Sequence, residues 1–108
     1  MKAKIITSNN TYNVVPQVNA YANGGVRIDL RDSETYEPIC TLSVWVKETP
    51  SLPRGAFYCK HWSENQGIVE QLLQQNVLEP VLTPAVSSGF IEDILAYRLR
   101  GSVDQREV

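Results

Sequence analysis

Only one stretch of the chain, Ser63 to Leu73, reads cleanly as a helix, and this points to a β-rich body with a single helical cover. Ile68, Val69, Leu72 and Leu73 fall on one face, and Glu70, Gln71, Gln74 and Gln75 on the other. Ser63 and Gln66 have the spacing of a capping box, in which hydroxyl and amide each satisfy a backbone N–H of the first turn. Glu64 stands where the helix dipole favours a negative charge. The expected helix is about three turns long and closes at Asn76, a residue that tolerates left-handed backbone. Gly67, in its first turns, costs about 1 kcal/mol relative to alanine and points to close approach of another backbone.

The rest of the chain reads as short strands. Lys2 to Ile6 and Thr11 to Val15 form a hairpin across Ser8-Asn9-Asn10, and Pro16 ends the second strand or confines it to an edge. Asn19 to Gly25 is a loop. In the next strand Val26, Ile28 and Leu30 alternate with Arg27, Asp29 and Arg31, which predicts one face in the core and one in solvent. Asp32-Ser33-Glu34-Thr35 makes a turn. A long strand then runs from Ile39 to Val46, with Cys40, Leu42, Val44 and Val46 as its core face and Trp45 on the other, either under another layer or on the surface as an anchor. Lys47 to Gly55 is an exposed loop, and Ala56 to Trp62 is a strand leading into the helix. Prolines make Val77 to Pro84 edge-like or irregular. Phe90 to Leu99, after the Ser87-Ser88-Gly89 turn, has two readings: Ile91, Ile94, Leu95, Arg98 and Leu99 fit a helix, and Ile91, Leu95, Tyr97 and Leu99 fit the face of a strand with Asp93 as the exception; the preceding turn and the need to pair the proline-limited strand favour the strand. The expected architecture is therefore α+β: a single antiparallel, twisted sheet of about five to seven strands with one amphipathic helix packed on it. Residues 1–100 form one domain, and 101–108 a flexible C-terminal tail.

Composition narrows the function classes. The chain has 108 residues and a net charge of −2, and its ten basic residues are scattered. Such a balance disfavours direct nucleic-acid binding, which needs clustered Lys and Arg to neutralise phosphates. No apolar run reaches the length of a membrane helix or a signal segment, so a cytoplasmic protein is expected. In that compartment Cys40 and Cys59 stay as free thiols. One His and two Cys are too few ligands for a zinc site, so neither a metal nor another cofactor is expected. A Cys59/His61 or Ser63/His61 nucleophile lacks an orienting third group and an oxyanion site. Adjacent carboxylates at Glu92-Asp93 face opposite sides of a strand, so they do not make an acid/base pair. What remains is a surface of carboxylates and aromatic side chains that would complement a basic protein. Its candidate partner-binding residues are Asp29, Asp32, Glu34, Tyr36, Trp45, Trp62, Glu64 and Asn65.

The segment Lys60-His61-Trp62-Ser63-Glu64-Asn65-Gln66-Gly67 resembles the motif of a family of small proteins of unknown function from conjugative elements and phages of gut bacteria. Tyr21-Ala22-Asn23-Gly24-Gly25, Glu37-Pro38-Ile39, the strand Thr41 to Val46, Leu72-Leu73, Val77-Leu78-Glu79 and Ser88-Gly89-Phe90 extend the resemblance over roughly residues 10 to 99. Trp45-Val46, and an extra proline between Lys47 and Arg54, depart from the family pattern. The resemblance implies a non-enzymatic accessory protein of a mobile element. Some similar proteins are anti-CRISPR inhibitors, so the expected partner is a CRISPR effector or other defence nuclease bound by a monomer or homodimer. The alternative is an accessory protein that binds a relaxase, a replication protein or single-stranded DNA.

Overall fold

The computed structural model describes residues 2–7, 10–22, 24–47, 49 and 51–100; the expected tail and most of the Ser8-Asn9-Asn10 turn lie outside them. The fold is α+β, as expected, but the strands form three small sheets rather than one. The first joins β1 (Ala3–Ile6), β2 (Thr11–Ala20), β3 (Val26–Asp32) and β4 (Pro38–Thr41) in sequence order, all antiparallel. The second contains β5 (Ser43–Val44), β6 (Phe57–Cys59), β7 (Leu78–Pro80) and β10 (Ala96–Leu99), in the order β5-β6-β10-β7. The third is a hairpin of β8 (Val86–Ser88) and β9 (Ile91–Ile94).

The expected strand Ile39 to Val46 is divided between the first two sheets at Leu42. This residue donates its N–H to the Ile28 carbonyl at 2.8 Å and accepts from the Lys60 N–H at 2.8 Å, so one peptide unit on each side is claimed by a different sheet. Leu42 is fully buried at this joint. Beside it Ser43 Oγ accepts the Ile28 N–H at 2.9 Å and lies 3.0 Å from the Tyr21 hydroxyl.

The second sheet separates two cores. Phe57, Cys59, Tyr97 and Leu99 join the main cluster with Ile5, Val14, Ile28, Leu30, Ile68 and Leu72. Tyr58 and Ala96 turn the other way, onto Val46 and Ile94 and the flanking Leu52 and Trp62. All three residues of β6 are consequently buried, and the strand ends at Cys59 rather than at Trp62.

Pro16 does not end β2. Pairing with β1 runs only as far as Ala3 opposite Val14, while pairing with β3 continues to Ala20 opposite Val26. Past Val14 one side of β2 is thus an edge, where a missing N–H breaks no ladder bond.

The helical segment differs most from expectation. Ser63–Asn65 forms a single 3₁₀ turn, and α1 (Ile68–Gln74) has only seven residues. Between them Gly67 adopts φ +83°, and neither start has a side-chain cap, so the capping box is not formed. Gly67 is needed for this left-handed conformation rather than for close packing. A Cβ there would meet only the Gln71 side-chain nitrogen, at 4.0 Å. The far end does match. Asn76 takes φ +60°, its N–H bonds the Leu73 carbonyl at 3.1 Å, and the Val77 N–H bonds that of Leu72 at 2.9 Å, which together make a Schellman closure.

The polar face of α1 is not simply solvated. In a strand the N–H and C=O of one residue point to the same side, alternately toward and away from the partner. On β1 those of Lys4 and Ile6 point outward, and two glutamines meet them. Gln75 Oε1 accepts the Lys4 N–H at 2.8 Å while its Nε2 donates to the Lys4 carbonyl at 2.6 Å. Gln71 makes the same pair with Ile6, at 2.7 and 2.9 Å. Four residues of helix rise about 6.0 Å and two residues of strand about 6.8 Å, so the i, i+4 glutamines match the outward peptide groups. The helix side chains act as the missing neighbour strand and seal an edge that would otherwise invite pairing.

Candidate interaction surface

The eight sequence-derived candidates do not assemble into one surface. Asp29 is only 7% exposed. Its carboxylate accepts from Asn19 Nδ2 at 2.9 Å, Thr41 Oγ1 at 2.9 Å and Arg27 Nε at 3.2 Å, so it is a satisfied structural hub and not part of a solvent face. Asn65 is fully buried. It donates to the Thr41 carbonyl at 2.8 Å, tying the 3₁₀ turn to β4, and its Oδ1 has no partner among the described residues. Neither residue is available to a partner.

Asp32 closes β3 and Glu34 lies in the turn after it. Asp32 Oδ1 accepts the N–H groups of Glu34 and Thr35 at 2.8 and 3.0 Å, and these bonds hold its carboxyl below the usual range. Tyr36 is half exposed, with the Arg31 guanidinium 5.0 Å above its ring. Glu64 receives Lys60 Nζ at 2.7 Å, and this bond, with backbone and Ser63 hydrogen bonds, lowers its carboxyl to about 2. Trp62 is partly buried against the second core, edge-on to His61 at 5.1 Å. Trp45 is on the surface, at 54% exposure. It borders a cleft of about 420 Å³ shared with Tyr21, Leu52, Arg54 and Tyr58.

Two fully exposed apolar side chains escaped the sequence reading. Phe90 follows Gly89 at the tip of the β8–β9 hairpin and is fully exposed, as is Leu82 between β7 and β8. The signal for Phe90 was its place in the turn, where neither face of a hairpin can cover it.

Cys40 and Cys59 are both free. Burial raises the Cys40 thiol to about 11 and Cys59 well above its ordinary value, so both are held protonated. His61 Nε2 lies 3.0 Å from the Glu92 carbonyl, which can only accept, so this nitrogen carries the proton. Among the described residues no hydrogen bond joins His61 to Cys59 or Ser63, and no three His, Cys, Asp or Glu side chains converge as a metal site. No helix among them is long and apolar enough to cross a membrane. Comparison with protein-family models, curated proteins and solved structures finds no match.

Proposed function

We propose that this chain is a non-enzymatic binding protein which, on behalf of a mobile element, occupies a CRISPR effector complex and blocks its access to nucleic acid. The observation that supports a binding role is the exposure of large apolar side chains, Leu82 and Phe90 fully and Trp45 by half, beside the half-exposed Ile6, Tyr36 and Leu95. Aromatic side chains left at a surface are typical interface anchors. The class of partner rests on the motif resemblance and on the acidic turn of Asp32 and Glu34 beside Tyr36, which suits a basic, nucleic-acid-binding surface.

The test is binding of the purified chain to a panel of effector complexes, followed by protection of target DNA from cleavage. Trp45→Ala and Phe90→Ala should each weaken the complex about tenfold or more where the residue is an anchor. Affinity should fall as salt is raised. Full-strength binding by the double variant, or no protection against any effector, removes the reading. A second reading, an accessory protein binding single-stranded DNA, is favoured by the placing of Trp45, Tyr21 and Arg54 around one cleft. A gel shift abolished by Trp45→Ala selects it over the first.

A further inference from the structure

Pairing of β2 with β1 stops at Val14, opposite Ala3, whereas pairing with β3 runs on to Ala20. The outward groups of β1 are those of Lys4 and Ile6, so the residues of β2 that face β1 are Tyr12 and Val14. Alternation then places the peptide groups of Pro16, Val18 and Ala20 on that same side. Pro16 offers a carbonyl alone. Val18 and Ala20 each offer an N–H and a carbonyl, and none of these groups has a partner among the described residues. Asn19 and Ala20 are exposed. Native edges are commonly blunted by a charged side chain, a bulge or a covering element. Glutamines cover β1, but β2 past Pro16 pairs with β3 without a bulge, and the chain carries no charged residue from Ile5 to Val26.

We infer that this edge pairs with the same edge of a second copy of the chain. A two-fold axis perpendicular to the sheet sets the two β2 strands antiparallel. Centred on Asn19, it places Val18 opposite Ala20 of the second copy, and each such pair exchanges both of its N–H···O=C bonds. The two four-stranded sheets become one continuous sheet. The uncharged segment argues for a like partner: it faces itself without like-charge repulsion, and it offers no charge that would select a strand of other chemistry. The turn after β2 favours the same occupant. Tyr21 N–H bonds the Gly25 carbonyl at 2.8 Å and Gly24 N–H bonds the Tyr21 carbonyl at 2.9 Å, drawing the chain off just past Ala20. A second copy therefore presents a strand short enough to end before it meets β1. The inference is independent of the proposed defence partner.

Sedimentation velocity on the full chain, across the micromolar to millimolar range, should show a reversible monomer–dimer equilibrium. Amide NMR over the same series should shift Val18, Asn19 and Ala20. Ala20→Pro removes an outward N–H and touches no bond to β3, so it should weaken the dimer about tenfold or more while the circular dichroism of the fold is kept. Residues 20 of the two copies are diagonal neighbours on one face. Ala20→Lys and Ala20→Glu should therefore each be monomeric alone and associate when mixed. A monomer throughout the range, a dimer unaffected by Ala20→Pro, or Lys and Glu variants that associate no better mixed than alone would overturn the inference. A monomer whose residues 18–20 shift instead with an added Thr-Val repeat peptide assigns the edge to a foreign strand and likewise removes the second copy as its occupant.

Discussion

At the residue scale, the polar groups of the motif divide by burial. Glu64 is exposed and acts through Lys60. Its folded value of about 2 lies below the ordinary 4.5, so its contribution is complete above pH 4.5 and fades as pH falls toward 2. A carboxyl NMR titration should follow Glu64 at that depressed value, and Lys60→Met should move it back toward 4.5, since the Lys60 bond is the largest cause. Asn65 is the opposite case. Its amide is closed off from water and holds the Thr41 carbonyl, so Asn65→Ala should cost about 1–3 kcal/mol in a denaturant melt. From the sequence the two looked alike, as adjacent polar residues of a helix start. Burial depends on β4 lying beneath the turn, and no local pattern in Ser63 to Gly67 encodes that contact. The left-handed residues were half legible: Asn76 declared itself by type, whereas Ser63 at φ +59° and Tyr36 at φ +63° did not.

At the element scale, alternation and turn residues located β1, β3, the proline-limited edge β7 and the strand character of Phe90 to Leu99. They failed where an element serves two masters. Ile39 to Val46 alternates without a glycine or proline, so nothing marks the change of sheet at Leu42. Phe57 to Cys59 faces a core on each side, which erases the half-polar pattern that would set its limits. Gln71 and Gln75 read as solvated because glutamine is polar, yet each presents one acceptor and one donor at the spacing of a neighbouring strand. Gln71→Leu should remove two bonds to Ile6 and destabilise the chain by about 1–3 kcal/mol. Hydrogen exchange should then quicken at the Ile6 amide, while Lys4, held by Gln75, keeps more of its protection. Unchanged exchange at Ile6 would mean that water serves this edge as well as the side chain does.

At the scale of the whole molecule, Leu42 carries the chain from one sheet to the other inside the core that the two share. Leu42→Ala should cost about 2–5 kcal/mol and lower the stability of both sheets together, giving a single transition by tryptophan fluorescence and by far-UV circular dichroism. Two resolved transitions would show that the sheets fold independently of the joint. The glutamine seal also joins distant parts of the chain, since residues 71 and 75 hold residues 4 and 6. A slip of β1 by one position would turn Ala3 and Ile5 out of the core, while the peptide groups it brought to the outer edge would still meet the two amides. The seal closes the edge without reading the side chains beneath it, and register is left to the apolar residues. A chain made from its N-terminus keeps that edge open until α1 has formed.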